Sequence, residues 1–166
     1  VVNEKKCKSL SEIMKKINLS KLEDNNFTKN FHGDLQFDNI LYSSDGFNYI
    51  DWRDYFGSSN EAGDVYYDLS KLYGGILMPY NLMKDENNIE YFENNLGVTF
   101  SYEKIERMDE IINYFIKSIN DSEFDFSKIE LIVGIIFLNM SPLHDEKFGK
   151  LLWFNGISIL SDLIDK

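Results

Sequence analysis

The sequence predicts one α+β domain, mainly helical, with a small β-hairpin in its first third. Three observations predict it. The 166 residues are 43% hydrophobic and 27% charged, enough apolar chain for a packed core and too much for disorder. Several stretches, most of them in the C-terminal half, carry the apolar spacing of helices. Two short apolar-aromatic runs flank Ser43-Ser-Asp-Gly46, a turn sequence suited to a hairpin. No repeat and no Pro/Gly/Ser-rich linker divides the chain, so residues 1–166 are read as one unit.

In chain order, Ser9 and Glu12 have the spacing of a capping box. Leu10, Ile13, Met14 and Ile17 then form one face of a short helix. Residues 23–30 are mostly polar and read as loop. Residues 39–42 and 47–52 are the two strands of the hairpin, and residues 55–63, with Gly57 and Asn60, are a second loop. A helix follows over Val65–Leu77, weakened at its end by Gly74 and Gly75. Residues 78–95 fit no period. Leu96, Val98, Phe100 and Tyr102 alternate as in a strand. Residues 103–119 form an amphipathic helix, residues 129–140 a buried helix apolar nearly all round, and residues 145–164 a last amphipathic helix.

Charge and cysteine content exclude some functions. Seventeen basic against 28 acidic side chains leave −11, and Arg53 and Arg107 are the only arginines. Binding to nucleic acid through its phosphates is therefore not expected. An acidic surface tilts slightly toward a cationic small molecule. Cys7 stands alone, so there is neither an internal disulfide nor a zinc-type cluster, and a cytoplasmic setting is expected. No signal peptide opens the chain, and no apolar run is expected to reach across a bilayer. The chain starts at Val1 rather than Met and reads as part of something longer.

Chemistry concentrates in Phe31-His-Gly-Asp-Leu-Gln-Phe-Asp-Asn-Ile-Leu-Tyr42, then Tyr49-Ile-Asp-Trp-Arg53, then Gly63-Asp-Val-Tyr-Tyr-Asp-Leu-Ser-Lys-Leu72. Asp34, in a Gly-containing loop before a strand, can accept a proton from an alcohol or orient it. Asn39 and Asp51 lie where a hairpin brings both to one end of its ladder. An amide oxygen beside a carboxylate suits Mg²⁺, which takes one or two protein oxygens together with phosphates and waters. One base and two metal ligands are what phosphoryl transfer to a hydroxyl requires.

This pattern resembles the aminoglycoside phosphotransferase and choline kinase families, kinase-like enzymes acting on small molecules. Their His-x-Asp-x-x-x-x-Asn signature matches His32, Asp34 and Asn39. Their metal-binding aspartate matches Asp51, and their Gly-Asp-x-x-x-Asp-Leu element matches Gly63, Asp64, Asp68 and Leu69. The resemblance implies the C-terminal lobe of a protein-kinase-like fold with a small catalytic-loop β-hairpin. Asp34 would be the catalytic base or the residue that orients the acceptor hydroxyl. Asn39 and Asp51 would hold Mg²⁺ against ATP or GTP, and the later helices would supply the acceptor pocket. His32, Asp64 and Asp68 would support the loop. Arg53 would meet a substrate carboxylate or phosphate, or pair with Asp54 or Asp64. The acceptor would be an alcohol of the aminoglycoside, choline, ethanolamine, sugar or nucleoside kind.

Such enzymes place a nucleotide-clamping lobe before the signature. Only 31 residues precede His32, and no Gly-x-Gly-x-x-Gly occurs, so the N-terminal lobe is expected to be missing and the isolated lobe inactive alone. The competing readings are a non-catalytic kinase-like binding or scaffold module and, more remotely, a metal-dependent hydrolase. Trp52, Tyr66 and Tyr67 read as core or as a cation–π pocket. His144 reads as a capping or exposed residue, with a substrate contact as the alternative.

Overall fold

The computed structural model describes residues 1–23 and 26–165. Its helices are α1 (Leu10–Lys16), α2 (Val65–Leu77), α3 (Tyr80–Met83), α4 (Met108–Asn120), α5 (Phe126–Met140) and α6 (Glu146–Asp165). Its strands pair in three antiparallel couples: β1 (Phe27–Thr28) with β4 (Gly63–Asp64), β2 (Ile40–Ser43) with β3 (Gly46–Tyr49), and β5 (Ile89–Asn94) with β6 (Gly97–Tyr102). The architecture is α+β and mainly helical.

The core forms where α2, α5 and α6 pack together. Ile129, Val133 and Phe137 of α5 and Leu151 and Leu152 of α6 are buried with Tyr73 and Ile76 of α2. Gly134 and Gly156 let α5 and α6 approach closely. A methyl at Gly134 would meet Leu160 at 2.6 Å, and one at Gly156 would meet the Gly134 carbonyl oxygen at 3.0 Å. The capping box at Ser9 and Glu12 starts α1, which buries Ile13 against Leu131, Ile157 and Leu160 in a second cluster.

Several elements differ from the sequence expectation. The loop expected over residues 23–30 contains β1, and residues 24 and 25 of it lie outside the described residues. The strand expected over residues 47–52 ends at Tyr49, because Asp51 is left-handed (φ 59°) and the Trp52 indole donates back to the Tyr49 carbonyl at 3.0 Å. The unassigned residues 78–95 hold α3, a short 3₁₀ turn and β5, so a second hairpin interrupts the helical body. The helix expected from residue 103 starts at Met108, because Arg107 is left-handed (φ 60°). The buried helix starts at Phe126 rather than residue 129, since the Asp125 carboxylate caps it by accepting from the Ser127 amide at 2.8 Å. Contrary to expectation, Phe126–Leu143 is long and apolar enough to cross a membrane by length and composition, with a mean hydropathy of 1.5. A third of this stretch is buried, including Ile129, Leu131, Val133 and Phe137, each 2% exposed or less, where it packs on α2 and α6.

Candidate functional site

The loop from Phe31 to Asn39 is held from beneath by α2. Asp68, one turn into that helix, accepts from the His32 amide at 2.6 Å and from the Gly33 amide at 2.8 Å. Lys71 stands three residues on and therefore shares its face. Its ammonium lies 2.8 Å from Asp34 Oδ1, an ion pair without hydrogen-bond alignment. Both side chains are about a tenth exposed. Further along the same face, Gly75 leaves room for the Phe37 ring, which a Cβ there would meet at 3.1 Å.

The hairpin brings the second group of residues to the loop. Ile40 pairs with Tyr49, and the Ile50 amide donates to the Asn39 carbonyl at 3.0 Å. Asn39 and Asp51 therefore sit at the same end of the ladder. The Arg53 amide donates to the His32 carbonyl at 2.9 Å, which lays the residue after Trp52 across the loop. This contact explains Gly33. Its φ is 80°, and a Cβ there would lie 2.6 Å from the Arg53 Cβ.

Arg53 reaches Asp34 Oδ2 at 2.8 Å and comes within 3.8 Å of Asp51 Oδ2. It pairs with neither Asp54 nor Asp64 among the described contacts, which corrects that part of the expectation. Asp34 is thus bounded by two cations, Lys71 on the interior side and the half-exposed Arg53 on the solvent side. Burial pushes its carboxyl up, but the ammonium of Lys71 and the guanidinium of Arg53 outweigh burial and hold it below the usual carboxylate range.

Asn39 is buried, and its Nδ2 donates to the Asp34 carbonyl at 2.9 Å. Its amide oxygen is then the donor available to a hard cation. The Asp51 carboxylate is largely exposed, in contrast to Asp34. The pair offers two oxygens of the type Mg²⁺ prefers. Among the described residues, no cluster of three or more His, Cys, Asp or Glu side chains forms a metal-holding group.

His32 is buried against the loop. Its Nδ1 accepts from the Asp34 amide at 3.3 Å, its ring stacks on Trp52 with centroids 4.8 Å apart, and its Nε2 has no partner among the described residues. Trp52 is therefore neither core nor an open cation–π wall, since one face lies on His32 and the side chain is half-exposed. Tyr66 is core, with the Lys128 ammonium 4.4 Å from its ring centre. Asp64 caps α2 by accepting from the Tyr66 amide at 2.9 Å, and its strand pairs with Phe27. His144 is packed rather than exposed, its ring 4.5 Å from that of Phe148 and stacked on Tyr80. Burial holds its imidazole below the usual histidine range.

Lys71 is the site residue that sequence reasoning missed. A lysine inside a helical run reads as solvated surface, and the available signal was its three-residue spacing from Asp68. A cavity of about 220 Å³ lies beside the loop, bounded by Phe37, Asp38, Gly75, Tyr80, Ile105 and Ile111. The chain matches no protein-family model, no curated protein and no solved structure.

Proposed function

We propose that this chain is the C-terminal lobe of a kinase-like phosphotransferase that moves the γ-phosphate of ATP or GTP to a hydroxyl of a small molecule. The observation that carries the proposal is the convergence of Asp34, Asn39 and Asp51. A partly buried loop and a two-stranded hairpin bring the three together, and a single helix holds the loop. Asp34 accepts and orients the acceptor hydroxyl. Asn39 and Asp51 would hold Mg²⁺, whose charge neutralises the triphosphate when bound. Arg53, half-exposed between Asp34 and Asp51, would meet an incoming phosphate. His32 and Asp68 keep the loop in shape, and Asp64 starts the helix beneath it.

Leu41, Phe47, Tyr49 and Ile50 expose apolar surface around the hairpin, as suits a cleft face that a second lobe and a nucleotide base would cover. The acceptor belongs to the aminoglycoside, choline, ethanolamine, sugar or nucleoside class, and the working compartment is the cytoplasm.

In the complete enzyme, D34A and D51A are each expected to abolish phosphate transfer while circular dichroism and the melting temperature stay near those of the parent. Retention of full turnover in either variant would overturn the assignment. A screen of amine-bearing against neutral alcohols tests the acceptor class, and preference for neutral or anionic alcohols would remove the tilt toward cations.

A second reading has one observation in its favour. Both Asp34 oxygens already face cations of the protein itself. A module that binds without catalysis, with Arg53 as a permanent plug, would have this arrangement. Mg²⁺-dependent nucleotide binding with no transfer to any alcohol would favour it.

A further inference from the structure

We propose that Lys71 is the positioning residue of this site: from the protein interior it fixes one oxygen of Asp34 and leaves the other, on the Arg53 side, to work on the acceptor. This inference rests on the phosphotransferase reading for its chemistry, but its geometry stands apart from it. The two cations on Asp34 are not equivalent. Lys71 is 8% exposed and rooted in a core helix, whereas Arg53 is 53% exposed on a segment beyond the hairpin. Lys71, buried between α2 and the loop, has little room to leave Asp34, while the exposed Arg53 can turn outward to a ligand. Oδ1 thus keeps its ion pair, and Oδ2 becomes available when Arg53 moves.

Asp68 and Lys71 divide the work on one helix face. Asp68 fixes the loop backbone at His32 and Gly33, and Lys71 fixes the side chain that follows. The balanced step is then simple. The acceptor hydroxyl donates to Oδ2 as its oxygen bonds to the γ-phosphorus. The bond from that phosphorus to the bridging oxygen breaks, and the nucleoside diphosphate leaves with the electron pair. The hydroxyl proton passes to Oδ2 and from there to water. Lys71 never touches the reacting atoms.

The groups facing Asp34 from packed elements are Lys71 and Tyr67 of α2, Arg53 beyond the hairpin, and Tyr80 of α3. Asp68 lies one loop residue away, and His32 meets the Asp34 backbone.

The test is a pair of double-mutant cycles read by urea denaturation of the intact chain, D34N with K71M and D34N with R53M, together with kcat and KM in the complete enzyme. Lys71 as a positioning residue predicts a larger coupling of Asp34 to Lys71 than to Arg53. It also predicts a kcat at least tenfold lower in K71M, partly restored in K71R, with KM for ATP within twofold. No coupling between Lys71 and Asp34, or a larger coupling to Arg53, would overturn the proposal.

Should K71M not fold, the double variant D34N/K71M decides. Recovery of folding there supports the coupling, since it removes the lone buried carboxylate. Failure to fold while D34N alone folds assigns Lys71 to core packing and overturns the proposal. Coupling of Lys71 to Asp34 with no phosphate transfer by wild type to any alcohol would remove the phosphotransferase reading and leave the positioning intact. Transfer without the coupling would do the reverse.

Discussion

Asp68 and Gly33 do more for the loop than their size suggests. Asp68 engages both oxygens with adjacent backbone amides of the loop. D68A leaves those buried donors unpaired and is expected to lower stability by about 2–4 kcal/mol, read by urea denaturation. G33A must adopt a positive φ and push Arg53 aside, and a loss of about 1–3 kcal/mol is expected from the same measurement. Asp34 also gives the fold a pH dependence with a definite sign. Its carboxyl is held below its usual value in the folded protein, so its contribution is present above the unfolded pKa, about 4. That contribution fades as pH falls through the lower folded value. The gap between the stability curves of wild type and D34N is therefore expected to be constant above about pH 4 and to close as pH falls from there through the lower folded value. At this scale the sequence was informative where chemistry needs a fixed residue type: Asp34, Asn39 and Asp51 could be chosen by spacing and do converge. It named Arg53 but not its partner Asp34, and it missed Lys71, because an ion pair between distant segments leaves no periodic signal in the chain.

Elements were legible to the degree that one local rule governed them. Turn chemistry located the β2–β3 hairpin, and apolar spacing located α2 and α6. Boundaries failed where a single backbone dihedral or cap decided them, as at Asp51, Arg107 and Asp125. The strands β1, β4 and β5 failed for another reason. Two-residue strands carry no alternation to read, and β5 mixes charged and aromatic residues on an exposed surface. The α5–α6 pair invites a direct test. G134L places a side chain where Leu160 already sits and is expected to lower the melting temperature by several degrees, corresponding to at least about 1–3 kcal/mol. The reverse change at the same interface, L160A, opens a cavity and is expected to cost about 2–5 kcal/mol.

The whole molecule is organised around α2, whose faces do different work. One side carries Tyr73 and Ile76 into the core against α4 and α5, and another carries Asp68 and Lys71 to the loop. The β2–β3 hairpin, which runs from the buried Asn39 to the exposed Asp51, has no comparable anchorage. Leu41, Tyr42, Phe47 and Tyr49 are all exposed. The two halves of the candidate site therefore belong to different cooperative units. Deuterium should enter the His32 and Gly33 amides, which are bonded to a core helix, only through global unfolding, at rates that track denaturant stability. It should enter the β2–β3 amides through a cheaper, local opening that is insensitive to low denaturant. A protein built this way can loosen the hairpin beside Asp51 to admit or release a charged ligand while the Asp34 carboxylate keeps its place. Heat would silence such a site in two stages, first by fraying the hairpin and only later by melting the helix that carries Lys71.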